Sequence, residues 1–182
     1  MGFVVTISGL HGTGKSTYAE RLAAEFGLRY VSAGELFREV ARKCGLTLRD
    51  LSLEASKKEE LDRLVDDRTR AEAKKGDVVI DALLAAWIVR DLANLRILLF
   101  APDDVRIGRI ARRDALSIED AKRETLYRED LERRRFKSFY DIDMSNLSIY
   151  DLILNTGLLS PAGNMRVLES FVRAYMKEHG VR

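Results

Sequence analysis

The stretch Gly9-Leu-His-Gly-Thr-Gly-Lys-Ser16, written GLHGTGKS, decides the fold of this chain. The apolar run Phe3–Ile7 comes directly before it and has the character of a buried strand. After it, Tyr18, Leu22 and Phe26 recur every four residues, which is helical spacing. GLHGTGKS matches the pattern G-x-x-x-x-G-K-[ST] in full, between a strand and a helix, where this motif binds phosphate. We therefore predict a loop that holds the phosphates of a nucleotide.

The chemistry of this loop follows from its residue types. Its glycines permit backbone conformations that aim successive N–H groups at an anion, and the helix from Lys15 adds the partial positive charge of its N-terminus. Lys15 is expected to bridge the β- and γ-phosphates, Ser16 to ligate Mg²⁺, and Thr17 to donate to the α-phosphate. The motif tolerates any residue at position 11, which favours a loop-filling role for His11. The predicted donor-binding set comprises Gly9, Leu10, His11, Gly12, Thr13, Gly14, Lys15, Ser16 and Thr17.

A second buried strand ends in a carboxylate. Val78–Asp81 is apolar up to its last residue, and an Asp in this position beside a phosphate loop holds Mg²⁺ through the water shell of the ion. Taken alone, such an Asp is usually a turn or capping residue. With Ser16, it forms the predicted metal site. The sequence thus predicts ATP with Mg²⁺ as cofactors, with GTP as the other possible donor.

Five short runs of Val, Ile and Leu lack clean alternation, which is typical of parallel strands covered on both faces. They span residues 3–8, 29–32, 78–81, 96–101 and 150–155. Helical patterns separate them, so the fold class is α/β. Two stretches, about 35–75 and 104–137, are helical without any strand. Helical segments at the strand ends of such a sheet are where lids lie.

Composition excludes several classes of protein. The chain has 182 residues, 46% of them hydrophobic, and a net charge of +2, which does not indicate nucleic-acid binding. One cysteine excludes an internal disulfide, and two histidines are too few for a zinc site. No apolar run approaches the roughly 20 residues of a membrane span. We expect a soluble, cytoplasmic monomer.

Arginine outnumbers lysine by 22 to 9, and nine of the arginines fall within residues 104–137. Arg109 and Arg113 share one helical face, and so do Arg128 and Arg135. Phosphoryl transfer requires positive charge on the equatorial oxygens of the transferred group, and mobile segments can supply it. The same stretch contains eight acidic residues, so a solvated face of paired charges is the alternative interpretation.

The chain resembles the nucleoside monophosphate kinases, and most closely the archaeal-type cytidylate kinases. The resemblance extends nearly end to end. It is carried by the phosphate loop and by VSAGELFR (31–38), RIARR (109–113), REDLERRR (128–135), FYDID (139–143) and LSIYDLI (147–153). In related sequences the segment at 81–83 often reads Glu-Gly-Arg, whereas this chain has Asp-Ala-Leu there.

The resemblance implies roles for individual residues. Ser32, Gly34 and Arg38 would bind the acceptor nucleotide, with Arg38 on its phosphate. Arg109 would lie near the donor, and Arg113 would touch phosphates. Arg128 would meet the transferring phosphoryl group, with Glu132 and Arg135 facing the acceptor. The catalytic set is therefore Lys15, Arg113 and Arg128.

The fold implied is a single P-loop kinase domain over 1–182, a three-layer sandwich with a five-stranded parallel sheet. An acceptor-binding insertion would span 35–75 and a short lid 112–134. The expected reaction converts ATP and CMP or dCMP to ADP and CDP or dCDP, with small-molecule nucleotides as the only partners and no role for nucleic acid or membrane. The alternatives are a kinase for AMP, UMP or a small alcohol, and, in a different class, a nucleotide switch or an RNA-associated ATPase.

Overall fold

A single parallel sheet organises the computed structural model, which describes residues 2–55 and 59–181. Its strands are β1 (Val4–Ser8), β2 (Arg29–Ser32), β3 (Val78–Asp81), β4 (Leu95–Phe100) and β5 (Leu152–Asn155). The order across the sheet is β2-β3-β1-β4-β5, and every neighbouring pair is parallel. The predicted five-stranded parallel sheet is confirmed. The predicted bounds of β2 and β3 are met, and the other three strands shift by one or two residues.

Eight helices connect and cover the strands in the part of the chain that the structure describes. They are α1 (Lys15–Phe26), α2 (Ala33–Cys44), α3 (Leu48–Ala55), α4 (Glu59–Lys74), α5 (Ala85–Ile88), α6 (Asp103–Asp114), α7 (Ile118–Tyr140) and α8 (Pro161–His179). No helix among these is both long enough and apolar enough to cross a membrane.

Local sequence signals set the helix ends. Gly27 closes α1 in the left-handed conformation at φ 63°, which glycine adopts without steric cost. The Ser117 hydroxyl accepts the backbone N–H of Asp120 and opens α7. Ser160 caps α8 in the same way, with Pro161 at the first helical position. These residues are of the types that favour the starts and ends of helices.

The core has three layers. On one face of the sheet, alternate residues such as Val5 and Ile7 pack with Leu22 of α1 and Leu168 of α8. On the other face, Val4, Val78 and Ile80 pack with Ala73 of α4 and with Ala85 and Val89 near α5. Burying each Leu or Ile side chain contributes roughly 1.5–3 kcal/mol, so the central strands fix the position of everything at their ends.

The register brings the carboxyl ends of three strands together. Asp81, the last residue of β3, lies beside Ile7 of β1 and Ser32 of β2. The phosphate loop follows β1, and Ser32 caps α2. Helices α2–α4 leave this edge between β2 and β3, and α6 and α7 leave it between β4 and β5. Within the described parts of 35–75 and 104–137 there is no strand, as predicted.

Candidate active site

The phosphate loop packs closely against its supports. A Cβ atom on Gly9 would lie 2.2 Å from the backbone oxygen of Leu99, and one on Gly12 would lie 2.6 Å from that of Arg106. Both glycines also have positive φ, 148° and 78°. Only glycine fits at these two positions, so the loop is wedged between β4 and α6 in one conformation.

Lys15 begins α1 and reaches back across the loop, where its Nζ donates to the carbonyl of Leu10 at 3.0 Å. Burial lowers the pKa of Lys15, and the nearby carboxylates of Asp81, Glu132 and Glu129 oppose that shift. An ammonium held by a single neutral acceptor keeps two donors for an incoming anion.

Ser16 and Asp81 lie together, as predicted. The Ser16 hydroxyl donates to Asp81 Oδ2 at 2.6 Å, and the Tyr30 hydroxyl and the Ser32 hydroxyl approach the same oxygen at 3.2 and 3.4 Å. Burial, and after it the negative charge of Asp81, raises the pKa of Tyr30 to about 12, so the Tyr30 hydroxyl keeps its proton. Asp81 is buried, and three hydroxyls orient its carboxylate.

This oxygen pair fits Mg²⁺, a hard cation that binds one or two protein oxygens and takes its other ligands from water and phosphate. No group of three or more His, Cys, Asp or Glu side chains suited to a metal occurs among the described residues. With two protein oxygens, an ion here would take its other ligands from water and from the bound nucleotide.

Charged residues from α6 and α7 hold His11 in the loop. Arg106 Nη1 donates to the His11 carbonyl at 2.7 Å and to Glu129 Oε1 at 2.7 Å. Glu129 also accepts the His11 backbone N–H at 3.1 Å, and His11 Nε2 lies 2.8 Å from Glu132 Oε2. The backbone N–H of His11 thus faces α7, while the rest of the loop remains for the donor.

Arg109 also ends on the loop. Its guanidinium donates to the carbonyl of Gly12 at 3.3 Å and to the carbonyl of Thr156 at 2.8 Å. The Thr156 hydroxyl in turn donates to the carbonyl of Thr13 at 2.8 Å. Arg109 therefore lies beside the phosphate loop and ties the residue after β5 to that loop.

The two arginines of the predicted lid that the sequence assigns to catalysis lie in different places. Arg128 on α7 donates through Nε to Glu132 Oε1 at 3.0 Å and is close enough to Lys15 to lower its pKa. Arg113, at the end of α6, pairs with the neighbouring Asp114 and is 70% exposed. The structure thus brings Arg128 to the loop and leaves Arg113 in solvent.

The residues predicted to bind the acceptor divide between a cavity and a helix interface. An open cavity of about 720 Å³ lies between α2 and α4, lined by Ser32 and Arg38 together with Tyr30, Glu35, Arg42 and Arg68. Gly34 lies one turn below Arg38, whose Nη1 would be 3.6 Å from a Cβ at that glycine.

Glu132 and Arg135, which were also expected on the acceptor side, do not line this cavity. Arg135 lies buried between α7 and α4, with Nε 2.9 Å from Asp62 Oδ2. Its Nη1 is buried without a hydrogen-bond partner among the described residues. Glu132 turns toward the loop. Burial favours its protonated form, but the hydrogen bond with His11 and the charges of Arg128 and Arg135 outweigh burial and hold the pKa of Glu132 well below its usual range.

Sequence reasoning missed Arg106 and Glu129, a buried ion pair that supports the loop. A signal was available, because Arg106 falls on the same helical face as Ile110, and the face of α6 around them is buried. A charge on the apolar face of a helix requires a buried partner. Nothing in the sequence identifies Glu129 as that partner.

The fold and the loop together define a P-loop kinase. Solved structures agree: an uncharacterized protein from Eubacterium ventriosum superimposes with a TM-score of 0.69 at 17% identity, covering 94% of this chain and 98% of that one. Shikimate kinase from Bacteroides thetaiotaomicron gives a TM-score of 0.63 at 13% identity, with 94% and 98% coverage. At such low identities these likenesses concern the fold alone.

Within that class, the chain belongs to the cytidylate kinase-like family, whose model matches residues 4–158. The cytidylate kinase of Staphylothermus marinus is 45% identical over 96% of this chain and 99% of its own length. That of Ignicoccus hospitalis is 45% identical over 87% of this chain and 92% of its own. The cytidylate kinase of Pyrococcus horikoshii is 41% identical over 93% and 88%. The archaeal resemblance read from the sequence is confirmed.

Proposed function

We propose that this protein transfers the γ-phosphoryl group of ATP to CMP or dCMP, giving ADP and CDP or dCDP. The observation that carries the proposal is the 45% identity to a cytidylate kinase over 96% of the chain. The geometry supports it, because a phosphate loop and an arginine-lined cavity open at the same edge of the sheet.

In the donor half, the loop amides and the N-terminus of α1 bind the ATP phosphates. Lys15 stabilises the charge that develops on the transferred group. Ser16 and Asp81 would hold Mg²⁺, which neutralises phosphate charge when bound. An oxygen of the acceptor phosphate attacks the γ-phosphorus while the bond to the β-bridging oxygen breaks. The acceptor phosphate is already an anion, so no general base is required.

In the acceptor half, Arg38 binds the phosphate of the monophosphate beside Ser32 and Gly34. Arg38 is 52% exposed, and its nearest acidic partner, Glu35, is 3.9 Å away, so its donors are available to a ligand. Glu132 and Arg135 on α7 contact the nucleoside when the lid closes. Closure excludes water, which would otherwise accept the phosphoryl group.

Arg113 and Arg128 supply charge to the transferring group from the lid, residues 112–134. The solvent pair of Arg113 with Asp114 contributes at most about 1 kcal/mol, so it yields readily to a phosphate. Arg128 is held by Glu132 within reach of the loop.

Free nucleotides, rather than nucleic acid, are the partners we propose, for a monomeric enzyme in the cytoplasm. Three arginines of α7 support this, because each pairs with an acidic residue of this chain: Arg128 with Glu132, Arg134 with Asp130, and Arg135 with Asp62. Light scattering tests the monomer. Binding of RNA with an affinity that falls steeply as salt rises would contradict the proposal that nucleic acid is not a partner.

The decisive assay measures ADP release from ATP–Mg²⁺ with CMP, dCMP, UMP, AMP, GMP or no acceptor, and repeats the panel with GTP as donor. We expect CMP and dCMP to accelerate release. In Arg128→Ala the rate should fall by roughly 10³-fold, the scale of one arginine in a transfer site. Arg123→Ala, an exposed arginine of the same helix, is the matched control and should stay within twofold.

Two results would refute the proposal. A faster reaction with AMP or UMP would show that Leu83, in the segment where relatives often carry Arg, has changed the acceptor. Equal ADP release with and without an acceptor would identify an ATPase.

A further inference from the structure

Among the contacts that the structure describes, His11 is the one residue of the phosphate loop whose backbone and side chain both form hydrogen bonds to neighbouring helices. Its carbonyl accepts from Arg106 at 2.7 Å, and its N–H donates to Glu129 at 3.1 Å. Its imidazole Nε2 lies 2.8 Å from Glu132 Oε2. His11 therefore makes one hydrogen bond to α6 and two to α7.

The direction of the imidazole contact follows from the charge on Glu132. Although burial opposes it, contacts that include the Arg128 guanidinium hold the pKa of Glu132 well below its usual range, so the carboxylate is ionised and can only accept. Nε2 must therefore carry the proton and donate. The other oxygen of Glu132 accepts from Arg128 at 3.0 Å. One donor comes from the phosphate loop and the other from the lid helix, and together they fix both oxygens of Glu132.

We propose that His11 is a positioning residue that couples the two substrate sites: ATP in the loop tightens the binding of CMP. This inference rests on the proposed function, which assigns the loop to the donor and Glu132 to the acceptor. ATP bound to the preformed loop restrains His11 further, and with it Glu132 and the segment of α7 around Glu132. CMP then has less conformational freedom to remove when it binds.

Thermodynamic linkage makes the effect reciprocal, so CMP must increase the affinity for ATP by the same factor. The loss of the imidazole contact should abolish the coupling without abolishing either site. This result would separate a positioning role from a general loss of structure, because a loss of structure would weaken the binding of each substrate measured by itself.

The test measures the Kd of CMP by calorimetry, with and without saturating AMP-PNP–Mg²⁺. In the wild type we expect CMP to bind at least fivefold more tightly in the presence of AMP-PNP, within the usual range of coupling. In His11→Ala the factor should fall below twofold.

Two polar variants test whether the coupling depends on a donor that reaches Glu132. His11→Gln places its Nε2 donor where the imidazole Nε2 lies and should retain most of the coupling. His11→Asn is equally polar but too short to reach Glu132, and it should lose the coupling as alanine does. The control is His179→Ala, which removes the other histidine of the chain, exposed on α8, and should leave the coupling unchanged.

The outcomes are distinguishable. Coupling that is absent in the wild type, or unchanged in His11→Ala, overturns the inference and leaves the kinase assignment standing. Equal loss in the Gln, Asn and Ala variants also overturns it, because the loss would then not depend on the reach of the donor. A wild type that binds no CMP refutes the proposed function itself, and the inference with it.

Discussion

Two helices of equal length, α1 and α2, show how differently the two halves of the site are built. Each has 12 residues and follows the carboxyl end of a strand or its loop. In α1 four residues are buried, Tyr18, Ala19, Leu22 and Ala23, whereas in α2 only Ala41 is, among the described residues. The donor half is thus anchored in the core, and the acceptor half lies outside it.

The functional side chains follow the same division. In the donor half, Lys15, Ser16 and Arg109 each already have a hydrogen-bond partner. In the acceptor half, Arg38 is largely in solvent. From this difference we expect the donor site to exist before substrate arrives and the acceptor site to be assembled by its ligand. Sequential assembly of this kind protects ATP from water until CMP is present.

The largest effect is expected for Lys15→Met, which keeps the length of the side chain and removes its charge. We predict a loss in kcat of roughly 10³-fold, because an electrostatic contact to the transferring group disappears. Thermal stability should not fall, because burial already disfavours the ammonium. Steady-state kinetics and thermal melting measure the two effects. A large loss of stability would show that Lys15 has a structural rather than a catalytic role.

The next largest effect tests whether the donor half is prebuilt. Arg106→Met should lower the free energy of unfolding by about 3–5 kcal/mol, because it leaves the buried carboxylate of Glu129 without its partner. The double variant Arg106→Met with Glu129→Leu should recover most of that loss.

Arg134→Met is the matched control on α7. Its pair with Asp130 is exposed and should contribute at most about 1 kcal/mol. Urea denaturation measures all three variants. Equal losses in the free energy of unfolding for Arg106→Met and Arg134→Met would mean that the loop needs no buried support.

An intermediate effect isolates the acceptor half. Arg38→Ala should raise the KM for CMP roughly 10–100-fold, which corresponds to about 1.5–3 kcal/mol for a hydrogen-bonded charge. The KM for ATP should not change. Arg21→Ala, on the exposed side of α1, is the control. A parallel rise in both KM values would show that the two halves are not separate.

The smallest effect concerns the contact between α4 and α7 beside the acceptor site. Burial raises the pKa of Asp66 to about 6, although the Tyr140 hydroxyl donates to it at 2.6 Å. Folding therefore favours the protonated carboxyl, and stability falls as pH rises through 6. Asp66→Asn should stabilise the protein at pH 7 by roughly 1–2 kcal/mol, since partial exposure dilutes the electrostatic cost.

That gain should shrink to a small fraction near pH 4, where Asp66 is protonated in the folded protein and partly protonated in the unfolded chain. Urea titrations at pH 7 and pH 4 measure the difference. Equal effects at both values would contradict the raised pKa.

The sequence predicts the parts of this molecule that depend on local patterns. The loop, the Ser16–Asp81 pair, and the helix ends at Gly27 and Ser117 each follow from neighbouring residues or from strand ends at one sheet edge. The supports of the site could not be predicted, because they join distant residues. His11 and Glu129 are 118 positions apart, and Asp62 and Arg135 meet only because α4 packs near α7. The charge pattern of α7 left each arginine with several possible partners.

Hydrogen exchange in α1 and α2 tests most directly whether one half is built and the other assembled. In the free enzyme, amides of α1 should be protected and those of α2 should exchange at least tenfold faster, because opening of α2 exposes little core. Addition of CMP with AMP-PNP–Mg²⁺ should slow exchange in α2 by tenfold or more and leave the buried part of α1 within twofold. Equal protection of both helices in the free enzyme, with no change in α2 on adding substrates, would contradict the account.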